Sequence, residues 1–398
     1  MDATTSMRRG RDGAVARLLA APFHRILDRI DRGLEAGAIE ATLPDGTRRL
    51  VGGHAPGPVA QIVLHRWRAL WRLVSGGSIG WYEAWEAGDW SSPDPVPIFD
   101  LFMRNRVALG DVARARPAAR LAMRAWHRLR RNDRKGARRN IAAHYDLGND
   151  FYRAWLDPTL TYSSGLGEGP LAAMQRRKLA RVLERTGASA GERVLEIGCG
   201  WGSFAATAAA AGVAVHALTL STEQRDHVTA LGLPGVTVGL TDYRDATGIY
   251  DGVASIEMVE AVGPEFWRAY LAAIAARLKP GGRAAIQYIA IADDVWPKYA
   301  GGVDFIQRYV FPGGSLIHEP TLRRLAEEAG LAWEEHEAFG LDYAETLRLW
   351  REAFDAATLP PRFDARFRRL WRYYLMYCEG GFRGGGIDVA QVTLVKRR

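Results

Sequence analysis

The sequence predicts an α/β protein, in which a mostly parallel seven-stranded sheet follows a smaller, mainly helical N-terminal domain. Three observations support this fold class. The chain has 398 residues, more than one ordinary hydrophobic core holds, so two domains are expected. From about residue 137 strand and helix patterns alternate, which calls for a parallel sheet with helices on both faces. One strand also runs directly into a glycine-rich turn that opens a helix. We therefore expect domains at residues 1–135 and 136–398.

Residues 1–135 carry mainly helical patterns. Apolar residues recur at helical spacing from Val15 to Leu34, with arginines on the other face, which predicts an amphipathic helix. The glycine- and proline-bearing stretch Leu43–Pro58 predicts a hairpin. An aromatic, turn-led segment follows at Gly77–Trp85. This part of the chain is therefore expected to form its own small domain.

Residues 136–398 alternate between strand and helix patterns. The predicted strands are Arg193–Ile197, Ala214–Leu220, Val236–Leu240, Gly252–Ile256, Arg283–Ile291, Leu331–Ala338 and Val389–Val395. Helical patterns lie between them, for example at Glu265–Leu278 and Thr321–Glu328. The order predicts a single large sheet with most of its strands parallel.

The charge balance points to an anionic partner. Lysines and arginines number 53 against 45 acidic residues, which gives a net charge of +8 and a pI near 9.6. Such a balance suits nucleic acid, a phospholipid surface or an acidic substrate. Arg104–Arg139 holds thirteen basic residues and only two acids. A solvated face, a membrane-surface element and a nucleic-acid patch all remain open for this stretch.

Cysteine content and hydropathy exclude several classes of protein. Two cysteines, Cys199 and Cys378, cannot build a disulfide framework, and their spacing fits no structural zinc site, so we expect no metal. Ile197–Thr222 contains no charged residue, yet its glycines indicate a loop, a helix and a strand rather than a membrane span. No signal peptide is visible in the sequence. We expect a protein that is soluble or bound to a membrane surface without spanning it.

The glycine turn is the strongest local motif. Glu196 ends a strand and is followed by Gly198, Gly200 and Gly202. A dinucleotide fold would place an acid at the end of the second strand, where Leu218–Ser221 stands instead. The glycines alone are also compatible with a plain structural turn. Together with the pair Asp242–Tyr243 after the third strand, they resemble the Rossmann-like fold of class I S-adenosylmethionine methyltransferases.

A series of short motifs runs through residues 137–398 in a fixed order. They are His144–Asp150, Leu156–Pro158, Thr161–Gly165, Leu218–Gln224, Asp242–Asp245, Glu257–Gly263, Tyr309–Gly314 and Phe339–Tyr343. In order and spacing they resemble the cyclopropane fatty acid synthases and mycolic acid cyclopropane synthases. The resemblance implies that a methyl group passes from S-adenosylmethionine to the cis double bond of a phospholipid acyl chain. A carbocation results, and loss of a proton closes a cyclopropane ring.

A carbocation reacts with water, so the resemblance implies a dry pocket lined by apolar and aromatic groups. The aromatic candidates are Phe151, Tyr152, Trp155, Tyr288, Phe305, Tyr309 and Phe311. Core packing would explain each of these residues equally well.

The resemblance also implies that a bound bicarbonate ion accepts the proton. Carried over by motif, its ligands are Glu260, Tyr343 and the backbone of Ile289. The family's cysteine and histidine are replaced by Ser164 and Gln287, which still donate hydrogen bonds to an anion. Neither accepts a proton as a neutral histidine does, which affects ring closure more than methyl transfer. A methylene or methyl-branched chain, or a furan precursor, is therefore the alternative product.

For the cofactor, the resemblance implies a set of contacts along the glycine turn. The methionine part would lie near Tyr162 and Ser163 and above Gly198 and Gly200, the ribose near Thr219 and Gln224, and the adenine near Asp242 and Tyr243, while Glu196 fixes the turn. The expected partner is an unsaturated phospholipid at an anionic membrane surface, reached from the cytoplasmic side. A homodimer is compatible with the resemblance.

Two other classes of function remain as alternatives. A nucleic-acid methyltransferase would suit the charge, but the base-flipping motif Asn-Pro-Pro-Tyr is absent from the sequence. A catalytically silent membrane-binding homologue is opposed by the complete glycine turn, Glu260 and Tyr343.

Overall fold

The computed structural model describes residues 20–110 and 147–397. The chain divides into two compact units, residues 1–122 and 123–398, and each is described by itself. The dividing point lies in the undescribed segment 111–146, as does the predicted boundary at 135/136, which stays a prediction. His144, Asp146 and most of the basic stretch Arg104–Arg139 also lie outside the described residues.

The N-terminal unit combines four helices with a small sheet in its described part. Its elements are α1 (residues 20–33), β1 (Ala38–Thr42), β2 (Arg48–Gly52), β3 (Val59–Leu64), α2 (Arg68–Glu86), β4 (Trp90–Ser91), α3 (Val96–Arg104) and α4 (Arg106–Leu109). The sheet order is β2-β1-β3-β4. An antiparallel pair is present, but only β2 lies within the predicted hairpin stretch, because β1 ends before it; β3 and β4 were not predicted. They are short and alternate buried and exposed residues over only a few positions.

A buried carboxylate fixes the end of this small sheet. Asp89 is completely buried and accepts hydrogen bonds from Arg66, Arg68 and Arg72 at 2.8–3.1 Å. Three guanidinium groups on one carboxylate leave excess positive charge at this surface. The burial of Asp89 is tolerated because the carboxylate is fully hydrogen-bonded.

The C-terminal unit is built on a seven-stranded sheet with the order β10-β11-β9-β8-β5-β6-β7. Its strands are β5 (Arg193–Ile197), β6 (Ala214–Thr219), β7 (Val236–Leu240), β8 (Tyr250–Ile256), β9 (Leu278–Ile291), β10 (Leu331–Ala338) and β11 (Ile387–Lys396). All neighbouring pairs from β7 to β9 are parallel, and β11 runs antiparallel to both β9 and β10. The predicted fold class is confirmed.

Helices cover both faces of this sheet. They are α5 (Asn149–Arg153), α6 (Leu171–Thr186), α7 (Ser203–Ala210), α8 (Thr222–Ala230), α9 (Trp267–Arg277), α10 (Trp296–Tyr299), α11 (Phe305–Tyr309), α12 (Glu319–Glu328), α13 (Gly340–Ala356) and α14 (Ala365–Arg383). One core cluster joins the sheet to α9 and α12, and another joins it to α6, α7 and α8. The central strands are buried on both sides, as expected for parallel strands between helical layers.

The strand order positions the site. β5 pairs with β6 on one side and with β8 on the other. The chain leaves β5 toward β6 and leaves β8 toward β9, so it turns in opposite directions from the carboxyl ends of β5 and β8, which opens a crevice there. No helix in the described residues is long and apolar enough to cross a membrane.

Helix α2 offers a test of packing in the N-terminal unit. A Cβ on Gly80 would overlap the backbone carbonyl of Arg72, whereas a Cβ on Gly76 of the same helix would meet no atom within 4 Å. We predict that Gly80→Ala destabilises the protein by about 1–3 kcal/mol through overpacking. Gly76→Ala should be neutral or slightly stabilising. Urea unfolding of the full chain, followed by tryptophan fluorescence, measures both, and equal midpoints for the two variants would refute this account of the close packing at Gly80.

Candidate active site

The glycine turn after β5 forms the floor of a pocket at the carboxyl edge of the sheet. Gly198, Gly200 and Gly202 have φ angles of 82°, 50° and 85°, in the left-handed region that favours glycine. A Cβ on Gly198 would lie 2.8 Å from Cγ of Met258, but a Cβ on Gly200 would meet no protein atom within 4 Å. The space above Gly200 is therefore open to a ligand that approaches the backbone closely.

Most of the predicted cofactor residues come together around this turn. Those that line the pocket are Tyr162, Ser163, Glu196, Gly198, Gly200, Thr219, Gln224 and Tyr243. Asp242 is the exception, because its carboxylate accepts hydrogen bonds from Nε and Nη2 of Arg244 at 2.8 and 2.6 Å and caps a short 3-10 helix. Of the predicted pair Asp242–Tyr243, only the tyrosine faces the pocket.

Two side chains on the β6 side of the pocket hold each other. Oγ1 of Thr219 donates a hydrogen bond to Oε1 of Gln224 at 2.7 Å, and both residues are buried. Ser221 lies between them and caps helix α8 by accepting from the backbone N–H of Gln224. The cap fixes the start of the helix, so the amide of Gln224 is presented toward the pocket in one orientation.

Glu196 is a buried carboxyl group with an unused oxygen. Its Oε2 has no hydrogen-bond partner among the described residues, although the side chain lines the pocket. Burial raises the pKa of Glu196 to about 8, and the positive charge of Lys178 only partly opposes this rise. A cationic ligand group beside Glu196 would favour its ionised form.

Lys178 was missed by sequence reasoning. It lies on α6, is completely buried, and its Nζ donates a hydrogen bond to Oγ of Ser163 at 2.6 Å. Gln175, one turn earlier, donates to the backbone carbonyl of Ser163 at 2.8 Å. The available signal was two polar residues on the buried face of a helix, beside Met174 and Leu179.

Glu257 was also missed, and it occupies the centre of the predicted catalytic group. Oε1 of Glu257 accepts hydrogen bonds from the backbone N–H of Ser164 and from Nε2 of Gln287, both at 2.8 Å. Oε2 accepts from the hydroxyl of Tyr343 at 2.7 Å. Glu257 has φ 49°, which costs energy in a residue other than glycine, so the surrounding structure holds it there.

The predicted catalytic residues are therefore brought together, but around two carboxylates of the protein itself. Ser164, Gln287 and Tyr343 donate to Glu257, while the backbone N–H of Ile289 donates to Oε1 of Glu260. One expectation needs correction. The hydroxyl of Ser164 donates to the carbonyl of Gly165, so Ser164 contributes its backbone N–H rather than its side chain.

The two carboxyl groups differ in their electrostatic surroundings. Burial raises the pKa of Glu257, whereas hydrogen bonds from Ser164 and Tyr343 oppose that rise. Burial and the nearby charge of Glu257 raise the pKa of Glu260 to about 8, and Oε2 of Glu260 has no partner in the described part of the chain. Of the two, Glu257 is therefore the group whose ionised form is favoured by hydrogen bonds, and Glu260 is the group whose neutral acid is favoured.

Aromatic side chains form a continuous wall beside Tyr162. The ring of Tyr162 lies 5.2–5.6 Å from the rings of Tyr152, Trp155 and Trp350, and its hydroxyl lies 2.9 Å from that of Tyr374. The ring of Phe151 contacts that of Trp155, and the ring of Phe311 contacts that of Tyr374. Phe305 contacts Tyr309 and Tyr373. Tyr288 does not belong to these aromatic contacts, because it points to the other face of the sheet and donates to Glu319.

The chain is similar to known proteins over most of its length. Residues 132–392 match the family described as mycolic acid cyclopropane synthetase. The chain belongs to this family. It is 38% identical over 410 residues to tuberculostearic acid methyltransferase UfaA1 of Mycobacterium tuberculosis. That alignment covers 96% of this chain and 93% of that protein. It is 37% identical over 260 residues to the cyclopropane-fatty-acyl-phospholipid synthase of Escherichia coli, and that alignment covers 63% of this chain and 66% of that protein.

A solved structure of the same family has the same fold. Mycolic acid cyclopropane synthase CmaA1, crystallised with SAH and CTAB, matches with a TM-score of 0.59 and 29% identity over 65% of this chain and 98% of that chain. The predicted family, the predicted enzyme class and the predicted cofactor are confirmed. This member of the cyclopropane synthetase family is an S-adenosylmethionine-dependent methyltransferase of lipid acyl chains.

The pocket of this methyltransferase fits its cofactor. The unpartnered Oε2 of Glu196 suits the cofactor's ammonium group, and the open space above Gly200 admits the ligand next to the backbone. When bound, S-adenosylmethionine supplies an electrophilic methyl group on a positively charged sulfur. No group of three or more metal-ligating side chains occurs in the part of the chain that the structure describes.

Gly200 and Gly232 form a matched pair for testing the cofactor site. Both have positive φ, 50° and 60°, and a Cβ on either would meet no protein atom within 4 Å, but only Gly200 lines the pocket. We predict that each change to Ala costs about 1 kcal/mol of stability. Gly200→Ala should also weaken S-adenosylmethionine binding at least about tenfold, because the added methyl group takes ligand space. Titration calorimetry that gave both variants the wild-type affinity would contradict the assignment.

Proposed function

We propose that the enzyme methylates the cis double bond of an unsaturated phospholipid acyl chain and that Glu257 accepts the proton released. The base is then a residue of the chain rather than a bound bicarbonate ion. The observation that carries this proposal is the set of three donors on the Glu257 carboxylate, from Ser164, Gln287 and Tyr343. These are residues that the family resemblance assigns to the bicarbonate site.

The chemistry requires a base that is fixed close to a carbocation. The π electrons of the double bond form the new bond to the methyl group, the sulfur keeps the electron pair of the broken bond, and the neighbouring carbon becomes cationic. Glu257 takes a proton as its carboxylate becomes a carboxylic acid. The electron pair of the broken C–H bond then neutralises the cation. The aromatic wall around Tyr162 excludes water, which would otherwise capture the cation.

The product depends on which carbon carries the cation when the proton leaves. If the new methyl group loses a proton while the adjacent carbon is cationic, the electron pair of the C–H bond forms a bond to that carbon and closes a cyclopropane ring. If a hydride first shifts from the methyl-bearing carbon, the same loss gives an exocyclic methylene group, which reduction would convert into a methyl branch. We favour the methylene product, because Gln287 and Glu257 replace the histidine and bicarbonate that the resemblance assigns to ring closure. The match to a named tuberculostearic acid methyltransferase over 96% of the chain supports the same choice.

We propose an anionic membrane surface as the place where the substrate is met. The net charge of +8 and the three arginines around Asp89 support this, because they present positive charge to lipid phosphates. The enzyme would then act peripherally from the cytoplasmic side. Methylation of vesicles that vanishes when anionic lipid is omitted would support the proposal, and equal activity on neutral vesicles would oppose it.

Lipid analysis tests the product directly. We predict that incubation with S-adenosylmethionine carrying a ¹³C methyl group and vesicles of an unsaturated anionic phospholipid yields labelled exocyclic vinyl carbons in the NMR spectrum. Labelled ring-methylene signals at unusually high field, with no vinyl signals, would instead assign a cyclopropane product.

The two neighbouring carboxyl groups provide a matched test of the base. Glu257→Gln should lower turnover by roughly 10²-fold or more, since the amide cannot accept the proton. Glu260→Gln should change turnover at pH 7 by no more than about threefold, because an amide resembles the neutral acid that burial already maintains there. Single-turnover kinetics on vesicles, with cofactor affinity measured separately, compares the variants. Near-wild-type turnover in Glu257→Gln would exclude Glu257 as the base.

A further inference from the structure

The buried ammonium group of Lys178 has no role in the chemistry described so far. Lys178 lines the same pocket as Glu196 and Glu257, and its side chain is completely buried. Its Nζ donates to the neutral hydroxyl of Ser163 at 2.6 Å. Among the described residues, no carboxylate lies within ion-pair distance of Nζ. A buried charge without a contact partner is costly, so a structural role alone accounts poorly for its presence.

Charges around Lys178 come from the walls of the pocket. Burial lowers the pKa of Lys178 to about 8, while the carboxyl groups of Glu257, Asp157 and Glu196 oppose this change and favour its charged form. At neutral pH the group is therefore mainly cationic. Asp157 is already bound by the hydroxyl of Thr159 and the backbone N–H of Thr161. The pocket carboxylates Glu196 and Glu257 are the groups on which the charge of Lys178 can act.

Lys178 is also joined to Glu257 through the backbone. Its partner Ser163 precedes Ser164, whose N–H donates to Oε1 of Glu257. The same helix therefore supplies a positive charge near Glu257 and a hydrogen bond that holds one of its three donors in place. Gln175 holds the same segment through the Ser163 carbonyl but carries no charge.

We propose that Lys178 is a positioning residue for proton transfer, whose buried positive charge keeps Glu257 ionised and ready to accept the proton. This inference rests on the proposed role of Glu257 as the base. The other titratable groups facing Glu257 are Glu260, Tyr343 and Tyr374. The negative charge of Glu257 disfavours the ionised form of each of them. Lys178 is the cation on this side of the pocket that favours ionisation of Glu257.

The test compares Lys178→Met with Gln175→Met in pH–rate profiles of the full-length enzyme on vesicles. A base must be deprotonated, so the rate rises with pH through the pKa of Glu257 to a plateau. Removing the positive charge raises that pKa, so the acid limb of Lys178→Met should move to higher pH. At acidic pH, where the rate is still rising, the rate of Lys178→Met as a fraction of its own plateau should be about three- to tenfold lower than the same fraction for the wild type. Gln175→Met loses a comparable segment contact and should keep the wild-type limb.

The outcomes separate this inference from the proposed function. The role of the Lys178 charge would be overturned if the acid limb of the pH–rate profile did not shift in Lys178→Met. It would also be overturned if that limb shifted equally in Lys178→Met and Gln175→Met. Either result would leave Glu257 as the base. Wild-type turnover in Glu257→Gln would overturn the proposed function itself. Lys178→Arg keeps the charge and should retain a limb near that of the wild type, which provides a further test if Lys178→Met folds poorly. A limb in Lys178→Arg that coincides with that of a folded Lys178→Met would also overturn the inference.

Discussion

The active site depends on one interaction, the triple hydrogen bond to the Glu257 carboxylate at the carboxyl end of β8. Three elements far apart in sequence supply the donors: the segment before α6, the middle of β9 and the first turn of α13. Each donor would be costly to bury without an acceptor, and the carboxylate would be costly to bury without donors. The group is therefore stable only as a whole, and it fixes the position of the carboxylate that we propose as the base.

The charges of the pocket form a consistent set around this carboxylate. Burial and the nearby Glu257 favour the neutral form of Glu260, whereas the positive charge of Lys178 favours the ionised form of Glu257. Glu196 keeps an unpartnered oxygen for a cationic ligand. A positively charged cofactor would then bind, and the carbocation of the proposed reaction would form, in a pocket that already contains acidic side chains. Such preorganised electrostatics generally contributes more to catalysis than any single contact.

Much of this architecture could be predicted from the sequence. The strands of the large sheet follow directly from hydrophobic runs bounded by turns, and the glycine turn marked the cofactor pocket through residue types that its backbone geometry requires. Glu257 and Lys178 could not be found in this way. Position 257 lies within a family motif that assigned the functional role to Glu260, and a lone lysine on an amphipathic helix usually faces solvent. Only the three-dimensional packing of α6 against β8 and β9 brings Lys178 and Glu257 together in the lining of one pocket.

The dependence of the rate on bicarbonate tests the central claim most directly, because a base built into the chain makes the free ion unnecessary. The comparison is between the wild type and Glu257→Gly, which removes the carboxylate and suits the positive φ at this position. The account predicts that wild-type methylation of unsaturated phospholipid vesicles is unchanged between carbonate-free buffer and added bicarbonate, and that bicarbonate partly restores Glu257→Gly. A wild-type rate that falls in carbonate-free buffer and recovers on addition of bicarbonate would contradict it.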